Sequence, residues 1–423
     1  MPATSSPPER IRLAIVTTHP IQYYAPVFRT LAQSGRMAVR VFYTWSQSAS
    51  GDVFDPGFGS RVTWDIPLLQ GYDHVFVPNV AKRPGSSHYL GIQNPELIEM
   101  ITAWSANAVL IYAWNLRSHL EAMRRLKGRI PVLFRGDSTL LGERTALRSA
   151  LRKRWLRWVY SHVDVAIAVG TNNRDYFLWA GVPPERVAYA PHSVDTRRFA
   201  GDVDEHSRRA RGWRVELAID PQAIVFVFAA KLIPIKDPFL LLDAFGKLQS
   251  RAHLIFFGDG ELLDDLRERC GGRTDVHFLP FQNQRTMPAV YRVGDVYVLP
   301  SRSETWGLAM NEAMACGRPL IASSRVGGAR DLIEEGVTGW QFAVGDTDDL
   351  ARALRLAIAA GRAGLREMGE RAKARVENWS TDATARGIAD AVEQATSERA
   401  ERPAANGSTS STRAHEGSTS ARG

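Results

Sequence analysis

The chain has 423 residues, more than one folding unit usually holds, and its 44% hydrophobic and 23% charged residues exclude a fibrous or largely disordered protein. The net charge of +8 favours a negatively charged partner, such as a nucleotide, an acidic lipid surface or a nucleic acid. The sequence has no recognisable nucleic-acid-binding module, so we expect no nucleic acid partner.

Residues 1–9 are polar and rich in proline, and we expect them to be disordered. The apolar run that follows is interrupted by Arg12 and is too short for the core of a signal peptide. No segment of the sequence approaches the roughly 20 consecutive apolar residues of a membrane-spanning helix. Cys270 and Cys316 have no neighbours at metal-ligand spacing, so we expect free thiols and a cytoplasmic protein.

The first half of the chain alternates short apolar runs with amphipathic segments, a pattern typical of a parallel sheet covered by helices. It predicts an N-terminal Rossmann-like domain over residues 10–195. The predicted strands are residues 12–17, 38–43, 108–112, 131–134, 165–169 and 186–190. Residues 45–93 are rich in Gly, Pro and Asp and have no clear period, which predicts a loop that lines a cleft.

Residues 196–213 lack apolar periodicity and are interpreted as a linker between domains. The alternating pattern then restarts, which predicts a second Rossmann-like domain over residues 214–375. Its predicted strands are residues 224–229, 253–257, 276–279, 296–299 and 319–322. We predict a helix over residues 376–398 that crosses back to the first domain, followed by a disordered tail at 399–423. The expected fold class is α/β, with two doubly wound domains facing a central cleft.

Residues 300–319 contain the densest group of functional signals. A buried strand ends just before them, a polar loop follows, and a helix runs from about Gly307 until Gly317 ends it. This places Glu304 in the loop at the carboxyl edge of the sheet, where α/β folds bind ligands. Glu312 lies two turns into the helix, so the two carboxylates are predicted to share one site.

The start of this helix is also predicted to bind an anion. The N–H groups of Gly307 and Leu308 have no partner within the helix, and Thr305 lies in the loop just before them. Lys231 and Lys236 follow the first strand of the second domain and lie near the start of the next helix. Two lysines so placed attract a phosphate, and the alternative is a pair of solvated lysines in a loop.

With these residues the chain resembles the retaining glycosyltransferases of family 4, which have the GT-B fold. Glu304 and Glu312 are separated by seven residues, as in the family's E-x7-E pattern, and Glu-Ala-Met-Ala-Cys-Gly continues the motif. The resemblance implies that Glu312 binds the ribose of a nucleotide-sugar donor and that Glu304 contacts the transferred sugar. It also implies that Lys231 and Lys236 bind the donor diphosphate. The alternative is an ordinary surface loop and amphipathic helix.

Three weaker matches occur in the same second half. Gly258 and Gly260 lie in a turn similar to the family's Gly-Asp-Gly turn, although such a turn alone carries little information. Residues 325–331 are similar to the family's Gly-Gly loop, with Asp331 where glutamate is frequent. Residues 190–196 resemble the family's segment at the domain junction, with His192 and Ser193 in place of Asn and Gly.

The first domain departs from the family pattern. The turn after the first strand is not rich in glycine, so a phosphate contact there must come from His19 or from backbone groups. Arg135 occupies the position where a histidine near the reacting sugar is expected. We expect Arg135 and Asp137 to line the cleft opposite Glu304. His119 is a candidate substitute for that histidine, and a structural histidine is the favoured alternative.

The resemblance implies a retaining glycosyltransferase that moves a sugar from a nucleotide-diphosphate donor to a glycan or lipid-linked acceptor. A front-face mechanism is favoured because no dedicated nucleophile is evident. We find no Asp-x-Asp motif of the kind that metal-dependent transferases use, so we expect no metal ion or other cofactor. The alternatives are a nucleotide-sugar epimerase or hydrolase of the same fold, and a non-catalytic protein that binds nucleotides or glycans.

Residues 144–160 combine many basic residues with two leucines and two tryptophans. The basic residues are Arg144, Arg148, Arg152, Lys153, Arg154 and Arg157, and the apolar ones are Leu147, Leu151, Trp155 and Trp158. This composition suggests peripheral association of the first domain with anionic membrane at its inner face, close to a lipid-linked acceptor. In the favoured alternative, the apolar side packs on the sheet and the arginines are solvated.

Overall fold

The computed structural model describes residues 10–49, 52–55, 60–142 and 146–401. The strands of the first domain are β1 (Ile11–Thr17), β2 (Met37–Tyr43), β3 (Asp52–Asp55), β4 (Ser60–Thr63), β5 (Asp73–Phe76), β6 (Ala108–Tyr112), β7 (Val132–Arg135), β8 (Val165–Ala168) and β9 (Val187–Tyr189). Its helices are α1 (Ala25–Gln33), α2 (Leu97–Ala103), α3 (Arg117–Leu126), α4 (Ala146–Ser161) and α5 (Thr171–Trp179). Seven of these strands form one parallel sheet in the order β5-β2-β1-β6-β7-β8-β9, and β3 pairs with β4 in a separate hairpin.

The second domain begins after α6 (Thr196–Ala200) and α7 (Val203–Glu216). Its strands are β10 (Val225–Ala229), β11 (His253–Phe257), β12 (Val276–Leu279), β13 (Val296–Leu299), β14 (Leu320–Ser323) and β15 (Gly339–Phe342). Its helices are α8 (Pro238–Gly246), α9 (Leu263–Cys270), α10 (Met287–Val293), α11 (Leu308–Ala315), α12 (Ala329–Leu332) and α13 (Thr347–Val376). The strands form a six-stranded parallel sheet in the order β12-β11-β10-β13-β14-β15, and α14 (Thr381–Glu401) ends the described chain.

The central strands are apolar on both sides because helices cover both faces of each sheet. In β1, Ala14 and Val16 belong to one buried cluster, and Leu13 and Ile15 belong to the cluster on the opposite face. A strand buried on both faces reads as a continuous apolar run, which is why these strands are visible in the sequence. The eleven predicted strands are all present with ends shifted by at most one residue, and the two doubly wound domains are confirmed.

Three segments differ from the sequence-based expectation. Residues 45–93 contain the hairpin of β3 and β4 and a further strand, β5, which pairs with β2 at the edge of the sheet. The edge strand β15 of the second sheet was not predicted either. Residues 196–213, interpreted as an irregular linker, instead form α6 and most of α7. In α7 only Ala210 is buried, so this largely polar helix lacks the apolar stripe that would reveal it in the sequence.

The last described helix, α14, packs on the first domain. Ile388 and Val392 are fully buried among residues of the first sheet and α1. Arg36, after α1, forms ion pairs with Asp390 at 2.7 Å and Glu393 at 2.6 Å. The chain therefore returns from the second domain to the first. The expectation of disorder at residues 1–9 falls outside the described residues, as does all but the first part of the predicted tail at 399–423.

No helix in the described part of the chain is both long enough and apolar enough to cross a membrane. Cys270 and Cys316 are free thiols, as predicted, and both are buried.

Gly387 provides a test of the packing of α14 on β9. A Cβ at this position would lie 2.4 Å from the carbonyl oxygen of Tyr189, so Gly387→Ala should lower the free energy of unfolding by about 1–3 kcal/mol. Gly212, on α7, has open space around its missing Cβ, so Gly212→Ala should raise that free energy by about 0.5–1 kcal/mol. Urea denaturation followed by circular dichroism measures both, and shifts of the same sign would contradict the close packing.

Candidate active site

A cavity of about 410 Å³, here called the interdomain cavity, lies at the carboxyl edge of the second sheet. Parallel α/β sheets bind ligands at this edge because loops and helix starts converge there. The residues predicted from the sequence that line it are Lys231, Lys236, Gly258, Glu304, Gly307, Leu308 and Glu312. The first domain contributes Gln22, Tyr23 and Trp64, so the site needs both domains.

Lys236 and Glu304 meet in this cavity. The Lys236 ammonium group forms an ion pair with a carboxylate oxygen of Glu304, and both side chains are about one-fifth exposed. The backbone N–H of Arg302 donates to the carbonyl oxygen of Ile235 at 2.9 Å, and its guanidinium donates to the Asp237 carboxylate at 2.8 Å. These contacts tie the two loops together, so the ion pair is held by the backbone around it.

Two glycines keep the cavity wall open. Gly307, just before α11, has a φ of +90°, and a Cβ there would lie 2.9 Å from the Val326 side chain. Gly258 has a φ of +143°, and a Cβ there would lie 2.1 Å from the carbonyl oxygen of Ala230. Both positions therefore require glycine. The start of α11 at Gly307 and Leu308 lines the cavity, where its N–H groups can bind an anion.

Glu312 is buried on α11 with one carboxylate oxygen unused. Its Oε2 atom accepts a hydrogen bond from the hydroxyl of Tyr291 at 2.5 Å, whereas its Oε1 atom is buried and has no hydrogen-bond partner. Burial raises the pKa of Glu312 to about 7, and the hydrogen bond from Tyr291 opposes that shift. A buried acceptor without a partner is costly, so Oε1 is suited to accept hydrogen bonds from a ligand in the cavity.

Side-chain hydrogen bonds join the two domains next to this cavity. The Thr305 hydroxyl donates to the Asp137 carboxylate at 2.7 Å. Asn311 donates to the carbonyl oxygen of His192 at 3.1 Å, and its own amide oxygen accepts from the indole of Trp306 at 2.9 Å. These hydrogen bonds bridge the two domains beside the interdomain cavity.

A second cavity of about 370 Å³, here called the first-domain cavity, lies at the carboxyl edge of the first sheet. Its walls combine aromatic with polar side chains: Tyr24, Tyr112, Trp114, Asn115, Phe134, Arg135 and Asp137 are among them. Asp137 also contacts Thr305, the neighbour of Glu304, so this cavity lies beside the E-x7-E loop. Aromatic rings with a few polar groups are suited to bind a polyhydroxylated molecule.

Arg135 and His119 both have structural partners. The buried Arg135 guanidinium donates to the carbonyl oxygens of Ala190 at 2.6 Å and Pro191 at 2.8 Å. His119 is fully buried, and its ring nitrogens lie 2.8 Å from the Thr44 hydroxyl and 2.6 Å from the Tyr112 carbonyl oxygen. Arg135 reaches the wall of the first-domain cavity, whereas His119 does not line it, which agrees with the structural alternative for that histidine.

Two other predicted residues do not line the interdomain cavity. His19 lies beside the Thr18 hydroxyl, with its Nδ1 atom at 2.9 Å, and packs edge-on against Trp45. Gly260 approaches Leu232, where a Cβ would lie 2.5 Å from the carbonyl oxygen. Gln22 and Tyr23 from the turn after β1 occupy the place expected for His19.

Sequence reasoning missed several residues of the site. Tyr23, Trp64 and Tyr291 line the interdomain cavity, but none belongs to a motif. Trp64 comes from the segment predicted to line a cleft, and the carboxylate of the following Asp65 accepts a hydrogen bond from the Arg285 N–H at 3.1 Å. The long aperiodic segment at residues 45–93 was the only feature of the sequence that predicted a contribution of this region to the cavity.

Family models match both domains. The model described as Glycosyltransferase Family 4 matches residues 32–198, and the one described as Glycosyl transferases group 1 matches residues 210–375. The chain belongs to glycosyltransferase family 4. It is 34% identical to a D-inositol 3-phosphate glycosyltransferase of Jonesia denitrificans over 217 residues, 48% of this chain and 50% of that relative. It is 27% identical to the Rhodococcus opacus protein of that name over 432 residues, 93% and 92% of the two chains.

Solved structures show the same fold. HepE of Anabaena in complex with UDP has a TM-score of 0.68 at 18% identity, covering 91% of this chain and 100% of that one. WaaG, a glycosyltransferase involved in lipopolysaccharide biosynthesis, has a TM-score of 0.61 at 16% identity, covering 90% and 99%. The architecture of this family 4 chain is therefore the GT-B fold. Within its described residues, no group of three or more His, Cys, Asp or Glu side chains is placed to hold a metal ion.

The raised pKa of Glu312 makes the stability of this family 4 chain depend on pH. The folded state holds a proton on Glu312 that the unfolded state releases above about pH 4.5, so stability falls as pH rises towards 7. Glu312→Gln removes this titration and leaves an oxygen for Tyr291. The free energy of unfolding of Glu312→Gln relative to the wild type should therefore increase by roughly 2–3 kcal/mol between pH 5 and pH 8.

The control is Glu268→Gln on the exposed side of α9, whose difference from the wild type should not vary with pH to this extent. Urea denaturation at both pH values gives the differences. If the difference in the free energy of unfolding between Glu312→Gln and the wild type varies with pH no more than that of the control, Glu312 is not a buried, protonated carboxyl group.

Proposed function

We propose that this chain is a retaining glycosyltransferase that transfers a sugar from a nucleotide-diphosphate sugar to a glycan or lipid-linked acceptor. The observation that carries the proposal is the composition of the interdomain cavity. It combines a buried carboxylate with an unused oxygen, two lysines and the start of a helix within one space of about 410 Å³. A molecule that carries a diol and a diphosphate matches these groups.

The ribose of the donor binds Glu312 in this proposal. A carboxylate accepts several hydrogen bonds, and Tyr291 uses one position on Oε2 while Oε1 is unused. The aromatic side chains of Tyr23, Trp64 and Phe281 line the same cavity and offer apolar surface for the nucleobase. The HepE complexes contain UDP or UDP-glucose, and this chain takes a donor of the same class.

The diphosphate binds Lys231, Lys236 and the N–H groups at the start of α11. As the bond to the sugar breaks, negative charge grows on the leaving phosphate, and these fixed donors stabilise that charge without a metal ion. Lys236 forms an ion pair with Glu304 at the wall of this cavity. The donor phosphate takes over Lys236, which frees the Glu304 carboxylate to contact the transferred sugar.

The acceptor binds in the first-domain cavity. Its wall carries Asp137, which contacts the residue next to Glu304, so an acceptor hydroxyl there reaches the transferred sugar. Attack from the same face as the departing phosphate retains the configuration of the sugar. Closure of the cleft excludes water that would otherwise hydrolyse the donor.

The donor site can be tested by four substitutions. Replacing Lys231 or Lys236 by Ala removes charge-assisted hydrogen bonds worth about 1.5–3 kcal/mol, so kcat/KM should fall roughly 10- to 150-fold. Glu312→Gln should mainly raise the donor KM, and Glu304→Gln should mainly lower kcat. The donor is chosen by a thermal-shift screen of nucleotide sugars that includes UDP-glucose.

Lys247→Ala is the matched control, since Lys247 pairs with Asp348 on the surface and does not line the cavity. Circular dichroism checks that each variant is folded. If Lys231→Ala and Glu312→Gln both keep full activity at donor concentrations below KM, the donor site is not the one proposed. Fast turnover of donor without acceptor would favour an epimerase or hydrolase, and tight nucleotide binding without turnover would favour a binding protein.

We further propose that α4 brings the first domain to an anionic membrane, where it meets a lipid-linked acceptor. Among residues 148–161 of α4, Leu156, Val159 and Tyr160 are buried, whereas neither tryptophan is. Leu151, Trp155 and Trp158 are instead 64%, 44% and 39% exposed. The alternative in which this apolar side packs on the sheet is therefore wrong for these three residues. Arg144 lies outside the described residues.

Exposed aromatic and basic side chains on one helix are typical of a membrane-surface contact. Trp155→Ser/Trp158→Ser and Arg148→Ala/Arg154→Ala should each weaken binding to anionic vesicles at low salt. Each lost arginine should cost about 1 kcal/mol, or roughly fivefold in partitioning. Val215→Ser, at an 80% exposed position on α7, is the control and should bind like the wild type. Sedimentation with anionic vesicles that does not exceed sedimentation with neutral ones would refute the membrane proposal.

A further inference from the structure

A separate cavity of about 270 Å³ in the second domain is lined mainly by arginines, and we call it the arginine cavity. Its charged lining residues are Arg211, Arg214, Arg292, Asp295, Arg318, Arg362, Arg366 and Glu370. Six guanidinium groups face two carboxylates, which leaves an excess of four positive charges. None of its lining residues lines the interdomain cavity.

Part of this cluster has a structural role. Arg214 donates to the carbonyl oxygen of Val293 and to Asp295, both at 2.8 Å. Arg292 donates to the carbonyl oxygen of Phe199 at 2.8 Å, and Arg318 donates to that of Gly294 at 2.9 Å. Carbonyl oxygens occupy N–H donors but do not neutralise charge. Among the described residues, Asp295 is the only carboxylate that forms ion pairs with arginines of this cavity, namely Arg214 and Arg362.

The other three arginines of the cavity are less fully paired, and of these only Arg362 donates to a carbonyl oxygen, that of Pro221, within the described residues. Within the described residues, Arg211 and Arg366 form no hydrogen bond and no ion pair, and Glu370 pairs with none of the arginines. The Nε atom of Arg362 is buried without a hydrogen-bond partner, although it lies 3.5 Å from a carboxylate oxygen of Asp295. A buried donor and two unpaired guanidinium groups therefore line one concave space.

Two helices hold four of these arginine side chains in place. Arg211 and Arg214 lie one turn apart on α7, and Arg362 and Arg366 lie one turn apart on α13. Such pairs lie on the same face of a helix, so both helices direct arginines towards the cavity. The backbone of α13 is non-helical at Gly361, where φ is +63°, directly before Arg362. The break in the helix sets the direction of the segment that carries this second pair.

We propose that the arginine cavity binds a small phosphate-bearing anion with at least two negative charges, at a site distinct from the donor site. Guanidinium groups bind phosphate oxygens through paired N–H donors, and a multiply charged anion offsets the excess charge. The cavity is smaller than the interdomain cavity, 270 against 410 Å³, which favours a ligand smaller than a nucleotide sugar.

Isothermal titration of the full chain with inorganic pyrophosphate at low salt tests the proposal. Arg211→Ala/Arg366→Ala should weaken pyrophosphate binding at this site at least about 10-fold. Arg83→Ala/Arg386→Ala is the control, because it removes two exposed arginines, one in the first domain and one on α14, that do not line the cavity. It should leave the affinity within about twofold, since remote exposed charges are screened.

Glu370→Gln should strengthen pyrophosphate binding several-fold, a gain that misfolding cannot produce. Lys231→Ala/Lys236→Ala removes phosphate binding in the interdomain cavity and should leave this site intact. If that lysine variant binds no pyrophosphate, or if the two double-arginine variants bind it equally, the arginine cavity is not an anion site. Neither outcome bears on glycosyl transfer, because the donor site is measured separately with the nucleotide sugar.

Discussion

The burial of Glu312 without an ion-pair partner is the constraint on which the site depends. A carboxyl group in such a place is stable when it is protonated or when donors surround it, and the protein supplies one donor, the Tyr291 hydroxyl. Its Oε1 atom has no partner in the folded chain. The unsatisfied Oε1 atom lowers the stability of the folded protein, and a ligand whose hydroxyl groups donate to it recovers that free energy on binding. The same carboxyl group therefore costs stability and favours ligand binding.

Two of the contacts between the domains are single hydrogen bonds. The one from Thr305 to the Asp137 carboxylate is worth about 1.5–3 kcal/mol net, and the one from Asn311 to the His192 carbonyl oxygen about 0.5–1.5 kcal/mol. After the second domain, the chain continues into α14, which packs on the first domain. This link between the domains does not depend on the two hydrogen bonds. Polar contacts of this kind exchange readily with water, so the two sheets can separate to admit a ligand and still share one continuous chain at the far end.

A structural feature can be predicted from the sequence when the residues that determine it lie close together in the chain. The buried strands are continuous apolar runs, and Glu304 and Glu312 lie in one short segment. Both the strands and the shared position of the two carboxylates could therefore be predicted. The edge strand β5 and the polar helix α7 carry little apolar pattern, so they were missed. Tyr23 and Trp64 reach the interdomain cavity because the domains face each other, which no short window of sequence records.

The ion pair between Lys236 and Glu304 solves an electrostatic problem of the site. A carboxylate next to the proposed diphosphate site would repel the ligand, whereas a lysine without a counter-charge would bind anions unspecifically. Pairing the two makes the loop neutral until a ligand arrives that offers phosphate to the lysine and hydroxyls to the carboxylate together. A ligand with phosphate alone must break the ion pair without replacing the partner of Glu304. The pair therefore favours a molecule that carries both groups, and this is the physical reason to expect selectivity for a nucleotide sugar over free phosphate at this cavity.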